Sequence, residues 1–513
     1  MSERLIYGKN DMKYIVSIEV DGETAVIFRE KQGEIRKEVV PHKYWLLSNK
    51  KHDMNWTELA GNQHYKYGKQ FKTIYGLRKE KDENPERDYY TINNAAEAMM
   101  VKDGYTYYKN LTPTDVSILS FDIETNGFLH NSDSRVLLIA NTYRVNGKVT
   151  RKLFSYDDYE NDGEMIEDWC NWVRKVNPSI VAGHNIYTFD FPFLSYVAGL
   201  YGKDLLLGRD DSKIKYSKYE SKYRVDGSRD LHYHKIKIYG REIVDTMFLA
   251  YKYDIGRKYE SYGLKYIIKA EGLEKEDRVF YDAQLIKDNY LIPEEFEKIK
   301  QYAKDDGDDA LALFDMMAPV IFYLCQVVPK PMQLMVESAS GSQINSVMVR
   351  SYLQERHSVA KADEVGDFQG AISFAVPSIY KNMLKIDFSA LYPSIMMQYE
   401  VCNPVKDPNK NFPTIVKYFA ENRQKYKQLY KETGDKNYDY LQQTAKVVAN
   451  SCYGFLSASG LNYNAPEQAA FITGKGRELL SFTIEFFTSR KTEDWINEFE
   501  EKTKWSVSIR FLI

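Results

Sequence analysis

The chain has few of the features that would hold a protein together outside a reducing compartment. Four cysteines in 513 residues, Cys170, Cys325, Cys402 and Cys452, are scattered without metal-ligand spacing. They argue against a disulfide framework and predict reduced thiols with no structural zinc. No run of 18 apolar residues occurs, and the opening MSERLIYGKNDMK lacks the apolar stretch of a secretory signal, so a cytoplasmic location is expected. Charge of one sign is also lacking. Seventy Lys and Arg face 73 Asp and Glu, a net −3, and any nucleic-acid binding must therefore use local basic surfaces. What is present is ordinary for a globular protein: 43% apolar and 28% charged residues, with no sign of disorder. At about 100–200 residues per domain, three or four domains are expected. The 42 tyrosines suit base stacking and core filling alike.

The first 110 or so residues mix short β-like runs, Tyr14 to Val20 and Thr24 to Phe28, with charged turns, and hold no catalytic constellation. The basic residues between Lys66 and Lys81 suit contact with a nucleic-acid backbone, but a solvated charged face is the readier reading, and the stretch is left unassigned. Next comes SILSFDIETNG, an apolar strand carrying Asp122 and Glu124. Strand side chains repeat every two residues, so both carboxylates share a face, and like charges so placed favour a divalent cation between them. The run from Ile180 to Asp190 is again an apolar strand, turning at Gly183 and delivering Asp190 just before a helix led by Pro192. GREIVDTMFLAYK places Asp245 mid-run, where a supporting role, packing and a helix cap are all open. In IKQYAKDDGDDALALFDMM, Tyr302 and Asp306 are one helical turn apart on one face. Asp305, Asp308 and Asp309 are expected in solvent.

The stretch LKIDFSALYPSIM, Leu384 to Met396, reads as a short buried strand ending at Asp387, then a turn and a helix that tolerates Pro393 in its first turn. The amides after Asp387 suit an anion. Residues 416–454 read as two helices joined at Thr433 to Asn437. Arg423, Lys427 and Lys431 form a basic stripe on the first. On the second, Leu441, Ala445, Val448 and Cys452 make an apolar arc opposite Lys446, Asn450 and Tyr453.

Taken together, D-I-E, N-x3-F-D and Y-x3-D stand in the order of the three exonuclease motifs of the DnaQ-like proofreading domain. The run from Asp387 to Pro393 resembles motif A of family B DNA polymerases, and K-V-V-A-N-S-C-Y-G resembles their motif B. DFQGAISF is similar to the Y-x-G-G/A element that contacts template in that family, with Phe368 in place of the tyrosine. Gly370 there permits close backbone approach, as an ordinary turn glycine would.

The resemblance implies a multidomain α/β and α+β chain: a DnaQ/RNase H-like 3′–5′ exonuclease domain plus an incomplete polymerase palm and helical fingers. The implied domains are an N-terminal accessory domain (1–112), the exonuclease (113–326), a return to the N-terminal domain (327–372), palm with motif A (373–413), fingers with motif B (414–454) and partial palm (455–513). By the same resemblance Asp122, Glu124, Asp190 and Asp306 hold two Mg²⁺ ions, with Mn²⁺ an alternative. Tyr302 orients the attacking water, while Asn185 and Phe189 hold the unpaired 3′ end. Asp387 binds metal for synthesis, and Tyr392 excludes a 2′-hydroxyl from the incoming deoxynucleotide. Lys446 contacts the triphosphate with help from Arg423 and Lys427, and Asn450 and Tyr453 shape the pocket for the nascent pair.

No D-x-D follows Tyr453, so against the family pattern the second metal-binding aspartate of motif C and the thumb are missing. Two explanations are open: a split polymerase, phage-like or prokaryotic, whose partner carries them, or a truncated or interrupted product. The apolar SVSIRFLI at 506–513 is expected to pair with a partner strand. The expected function is DNA-directed DNA polymerase with 3′–5′ proofreading in replication, on primer-template DNA and deoxynucleoside triphosphates, with a partner subunit carrying motif C and a replisome clamp as a further candidate. The rivals are a stand-alone 3′–5′ exonuclease and a non-catalytic nucleic-acid binder, such as a regulator that binds RNA.

Overall fold

Three β-rich runs near the N-terminus pair as an antiparallel meander in sequence order: β1 (Ile15–Asp21), β2 (Thr24–Lys31) and β3 (Glu34–Pro41). Gln32 and Gly33, with φ of 52° and 76°, close the second hairpin as a two-residue turn that requires left-handed backbone at both positions. These strands appear in a computed structural model that describes residues 2–225, 229–373, 379, 381 and 385–503. The chain divides into two compact units. One comprises Tyr7–Leu47 and Lys69–Ala339, the other Met1–Ile6, Ser48–Gly68 and Ser340–Ile513.

The first unit is built on a five-stranded mixed sheet. Its strands are β4 (Ile118–Thr125), β5 (Val136–Val145), β6 (Lys148–Ser155), β7 (Ile180–Gly183) and β8 (Glu242–Asp245), in the order β6-β5-β4-β7-β8. β4, β5 and β6 are antiparallel neighbours, whereas β7 runs parallel to both β4 and β8. Between β6 and β7 lies α1 (Asp162–Val176), which buries Met165, Ile166, Trp169, Cys170 and Val173, one stripe at helical spacing. Asn161 caps its first turn and Asn177 ends it in the left-handed region. After β7 comes α2 (Asp190–Leu200), and β8 leads into α3 (Thr246–Tyr253). Then follow α4 (Leu264–Ala270), α5 (Ala283–Asn289) and α6 (Pro293–Cys325), the last 33 residues long. Leu137, Leu138 and Ala140 of β5 pack with Ile286 of α5 and with Phe296, Ile299, Tyr302 and Ala303 of α6, so the long helix is seated on the sheet by a buried apolar cluster.

The second unit is mainly helical: α7 (Ser340–Gln354), α8 (Leu391–Gln398), α9 (Asn411–Thr433), α10 (Lys436–Ser457), α11 (Pro466–Thr488) and α12 (Thr492–Thr503). Gly434, at φ 69°, ends α9, and the Asp435 carboxylate accepts from the Asn437 amide to start α10, giving an αα-hairpin. Phe412 of α9 stacks on Phe455 of α10 at 5.7 Å.

One expected element is absent. Residues 385–388 form no strand, and Ile386 and Phe388 are exposed. A strand exists only where a neighbour satisfies its backbone, and no described residue pairs with this segment; Leu384 lies outside the described residues. Position 374 and the apolar SVSIRFLI also lie outside them. Among the described residues the thiols of Cys170, Cys325 and Cys452 are buried and all four cysteines are free, and no helix is long and apolar enough to cross a membrane.

Candidate active site

β4 carries Asp122 and Glu124 on the same face, opposite Ala140 and Leu138 of β5. Asp306 reaches them from α6, and one oxygen from each of these three carboxylates lies within 4.8 Å of the others. Asp190 begins α2 and is 2% exposed. It stands outside that tight trio but close enough to be the leading charge on Asp122 after burial itself. Gly183 lets these strands meet: a Cβ there would lie 2.4 Å from the Ile186 side chain and 2.7 Å from the Phe121 carbonyl oxygen.

Burial, then the neighbouring carboxylates, push Asp122 and Glu124 well above the usual carboxylate range. Burial and Asp245 push Asp190 up to about 8. Asp306 is raised by burial, but Lys265 and Arg278 pull the other way. A cluster that repels its own charge, made only of hard oxygen donors within reach of one another, fits a Mg²⁺- or Mn²⁺-like ion, whose charge removes the repulsion. Tyr302, one turn before Asp306 and 3% exposed, has its phenol raised by burial and by Asp306. Its hydroxyl meets the Lys265 ammonium, which is also 4.0 Å from Asp306 Oδ2.

The loop after β7 holds Asn185 in the left-handed region at φ 67°. Asp245 resolves as a helix cap and loop clamp. Its carboxylate accepts from Met247 N at 2.9 Å to start α3, and from Asn185 N at 2.9 Å and Tyr187 N at 3.2 Å. The Phe189 ring is 5.7 Å from that of Phe128. With Leu129, Ile286, Lys287 and Glu124 these two rings line a cleft of about 600 Å³. Phe128 and Leu129 are 70% and 75% exposed, an exposure unusual for such side chains. Sequence reasoning passed over them, although an apolar pair just beyond the D-x-E carboxylates was visible. It also missed Lys265 and Arg278, which no spacing rule announces.

Asp305, Asp308 and Asp309 of α6 are not in solvent as expected. Asp305 is 6% exposed and accepts from Val279 N at 2.9 Å; Asp309 is 1% exposed and accepts from Arg278 Nε at 2.7 Å. Asp308 accepts from Thr142 Oγ1 at 2.7 Å and pairs with Arg151 and Lys275. The helix is covered by β5, β6 and the segment around 275–281, so its acids find partners there, Arg278 buried and Arg151 and Lys275 exposed.

In the second unit Asp387 sits exposed in an irregular segment before α8. Tyr392, in the first turn of α8, meets Tyr453 of α10 with ring centroids 4.7 Å apart. Lys446 and Asn450 are exposed on α10, while Ala445, Val448 and Cys452 pack on its opposite side. On α9 Lys427 is exposed and Arg423 half-buried. Among the described residues a Cβ at Gly370 would meet nothing within 4 Å, so nothing described there requires a glycine. Its carbonyl oxygen and that of Gln369 accept from Arg477 on α11.

Residues 84–267 match the profile of the exonuclease domain of DNA polymerase family B, and residues 405–511 match the DNA polymerase family B profile. DNA polymerase 1 of Pyrococcus abyssi is 22% identical over 75% of this chain and 54% of its own length. The DNA polymerase delta catalytic subunit of Dictyostelium discoideum is 26% identical over 74% of this chain and 39% of its own. The chain thus spans about half the length, or less, of the curated relatives it matches. The family B DNA polymerase of the archaeon Pyrobaculum calidifontis shares the fold with a TM-score of 0.73 at 18% identity, over 92% of this chain and 71% of that one.

Proposed function

This chain belongs to DNA polymerase family B, and we propose that it carries the 3′–5′ proofreading exonuclease and part of the nucleotide site of a DNA-directed DNA polymerase. The observation that carries the exonuclease reading is the trio Asp122, Glu124 and Asp306, with Asp190 and Tyr302 beside it. Two divalent ions, when bound, would supply an activated water and charge stabilisation at the leaving 3′-oxygen. Mg²⁺ is the proposed ion and Mn²⁺ the alternative. The four carboxylates would hold these ions. The Tyr302 hydroxyl, fixed between Lys265 and Asp306, orients the water. Phe189 and Phe128 take the unpaired terminal base in the adjoining cleft, and Asn185, in the left-handed loop after β7, holds the strand.

For synthesis, Asp387, Tyr392, Lys446, Asn450 and Tyr453 are proposed to meet metal and deoxynucleoside triphosphate, with Arg423 and Lys427 drawing in the phosphates and Gly370 near template. The exposed Asp387 segment and the exposed Phe482, Phe486 and Phe487 of α11 favour cover by further polypeptide, joined to this chain or separate, that also supplies a second metal-binding aspartate and a thumb. A cytoplasmic site of action and a clamp partner belong to the same proposal.

Primer extension tests it. With Asp122→Ala and Glu124→Ala combined to silence degradation, and with Mg²⁺ and all four deoxynucleotides, no extension by this chain alone is expected. Extension by this chain alone would overturn the requirement for a second aspartate from outside it.

A further inference from the structure

Asp306 is held by more than its own helix. The Arg278 side chain, 1% exposed, pairs with Asp306 Oδ1 through Nη2 and with Asp309 Oδ2 through Nε at 2.7 Å, while Nη1 donates to the Val279 carbonyl at 2.9 Å. All three guanidinium nitrogens are therefore engaged. Its plane also lies over the Phe280 ring at 4.5 Å, and a planar fork so engaged on several sides has little freedom to move. Asp306 Oδ1 is thereby taken from inside the protein, Oδ2 stands 4.0 Å from the Lys265 ammonium, and the carboxylate is held where one of its oxygens meets those of Asp122 and Glu124.

We propose that Arg278 is a positioning residue for the cation site: it fixes the Asp306 carboxylate so that one defined oxygen completes the trio with Asp122 and Glu124. The inference rests on the reading of that trio as a cation site. Residues that orient a metal ligand from behind typically change affinity by about 10–100-fold when lost. The ion pair of the same covering segment at Lys275 and Asp308 provides the control, because it fastens the segment without touching Asp306.

The test is Mn²⁺ titrated into the full chain, with free ion read by electron paramagnetic resonance. Arg278→Met is expected to weaken binding about 10–100-fold. Arg278→Lys keeps the charge but cannot span both aspartates, and is expected to recover only part of the loss. Lys275→Met is expected to bind as the unaltered chain does. Unchanged affinity in Arg278→Lys, or an equal loss in Lys275→Met, would overturn the proposal, and both readings stand even where Arg278→Met fails to fold. Failure of the underlying reading looks different: the unaltered chain would take up no Mn²⁺, or Asp122→Asn with Glu124→Gln would bind it equally well, and the inference falls with it.

Discussion

Tyr302 offers a separation of chemistry from packing, because its ring belongs to the apolar cluster that seats α6 while its hydroxyl faces the carboxylates. Tyr302→Phe keeps the ring. Single-turnover digestion of single-stranded DNA is expected to slow about 100-fold or more, the scale of a lost proton-handling group, with the thermal midpoint unchanged. An equal fall in stability would assign the residue to packing instead. The placement of Asp122 with Glu124, and of Tyr302 with Asp306, was legible because strand and helix periods dictate which side chains share a face. Asp305, Asp308 and Asp309 were misread because a charge-dense helix is usually wet. Their partners Val279, Arg278, Lys275, Arg151 and Thr142 come from segments remote in sequence, and local spacing carries no trace of them.

At the scale of elements, the junction of β7 and α2 concentrates the constraints. Gly183→Ala would push a methyl into Ile186 and the Phe121 carbonyl. It is expected to cost about 1–3 kcal/mol, measured as a lower urea midpoint at unchanged slope. Next to it, His184 is half-buried between the Thr246 hydroxyl, 2.9 Å from Nδ1, and the Tyr262 carbonyl, 2.8 Å from Nε2. Burial pulls its pKa down to about 4. Between that value and the unfolded value of about 6.5 the unfolded chain binds a proton that the native chain does not. The stability contribution is therefore complete above about pH 6.5 and is lost as pH falls toward 4. Denaturation of the unaltered chain and of His184→Gln at pH 7.5 and pH 5 is expected to differ in pH sensitivity by roughly 1–3 kcal/mol. Equal sensitivity would contradict a buried neutral imidazole. The hairpin of α9 and α10 was readable from its Gly434-Asp435 punctuation and apolar arc. Among the described residues the expected strand before Asp387 is not formed, because alternation describes a strand's faces and is silent on whether a neighbour exists to bond it.

At the scale of the molecule, every proposed exonuclease residue belongs to the unit Tyr7–Leu47 with Lys69–Ala339, and Asp387 to the other. Asp387→Ala is accordingly expected to leave 3′ degradation unaltered, and a comparable loss would show that the two activities share a carboxylate. The most direct measurement follows 3′-end-labelled single-stranded DNA incubated with the full chain and Mg²⁺. The expected result is stepwise release of nucleoside monophosphates from the 3′ end, stopped by chelation and reduced at least about 100-fold by Asp122→Ala with Glu124→Ala. No release in either Mg²⁺ or Mn²⁺, or release that survives the double substitution, would contradict the assignment of a proofreading centre to this cluster.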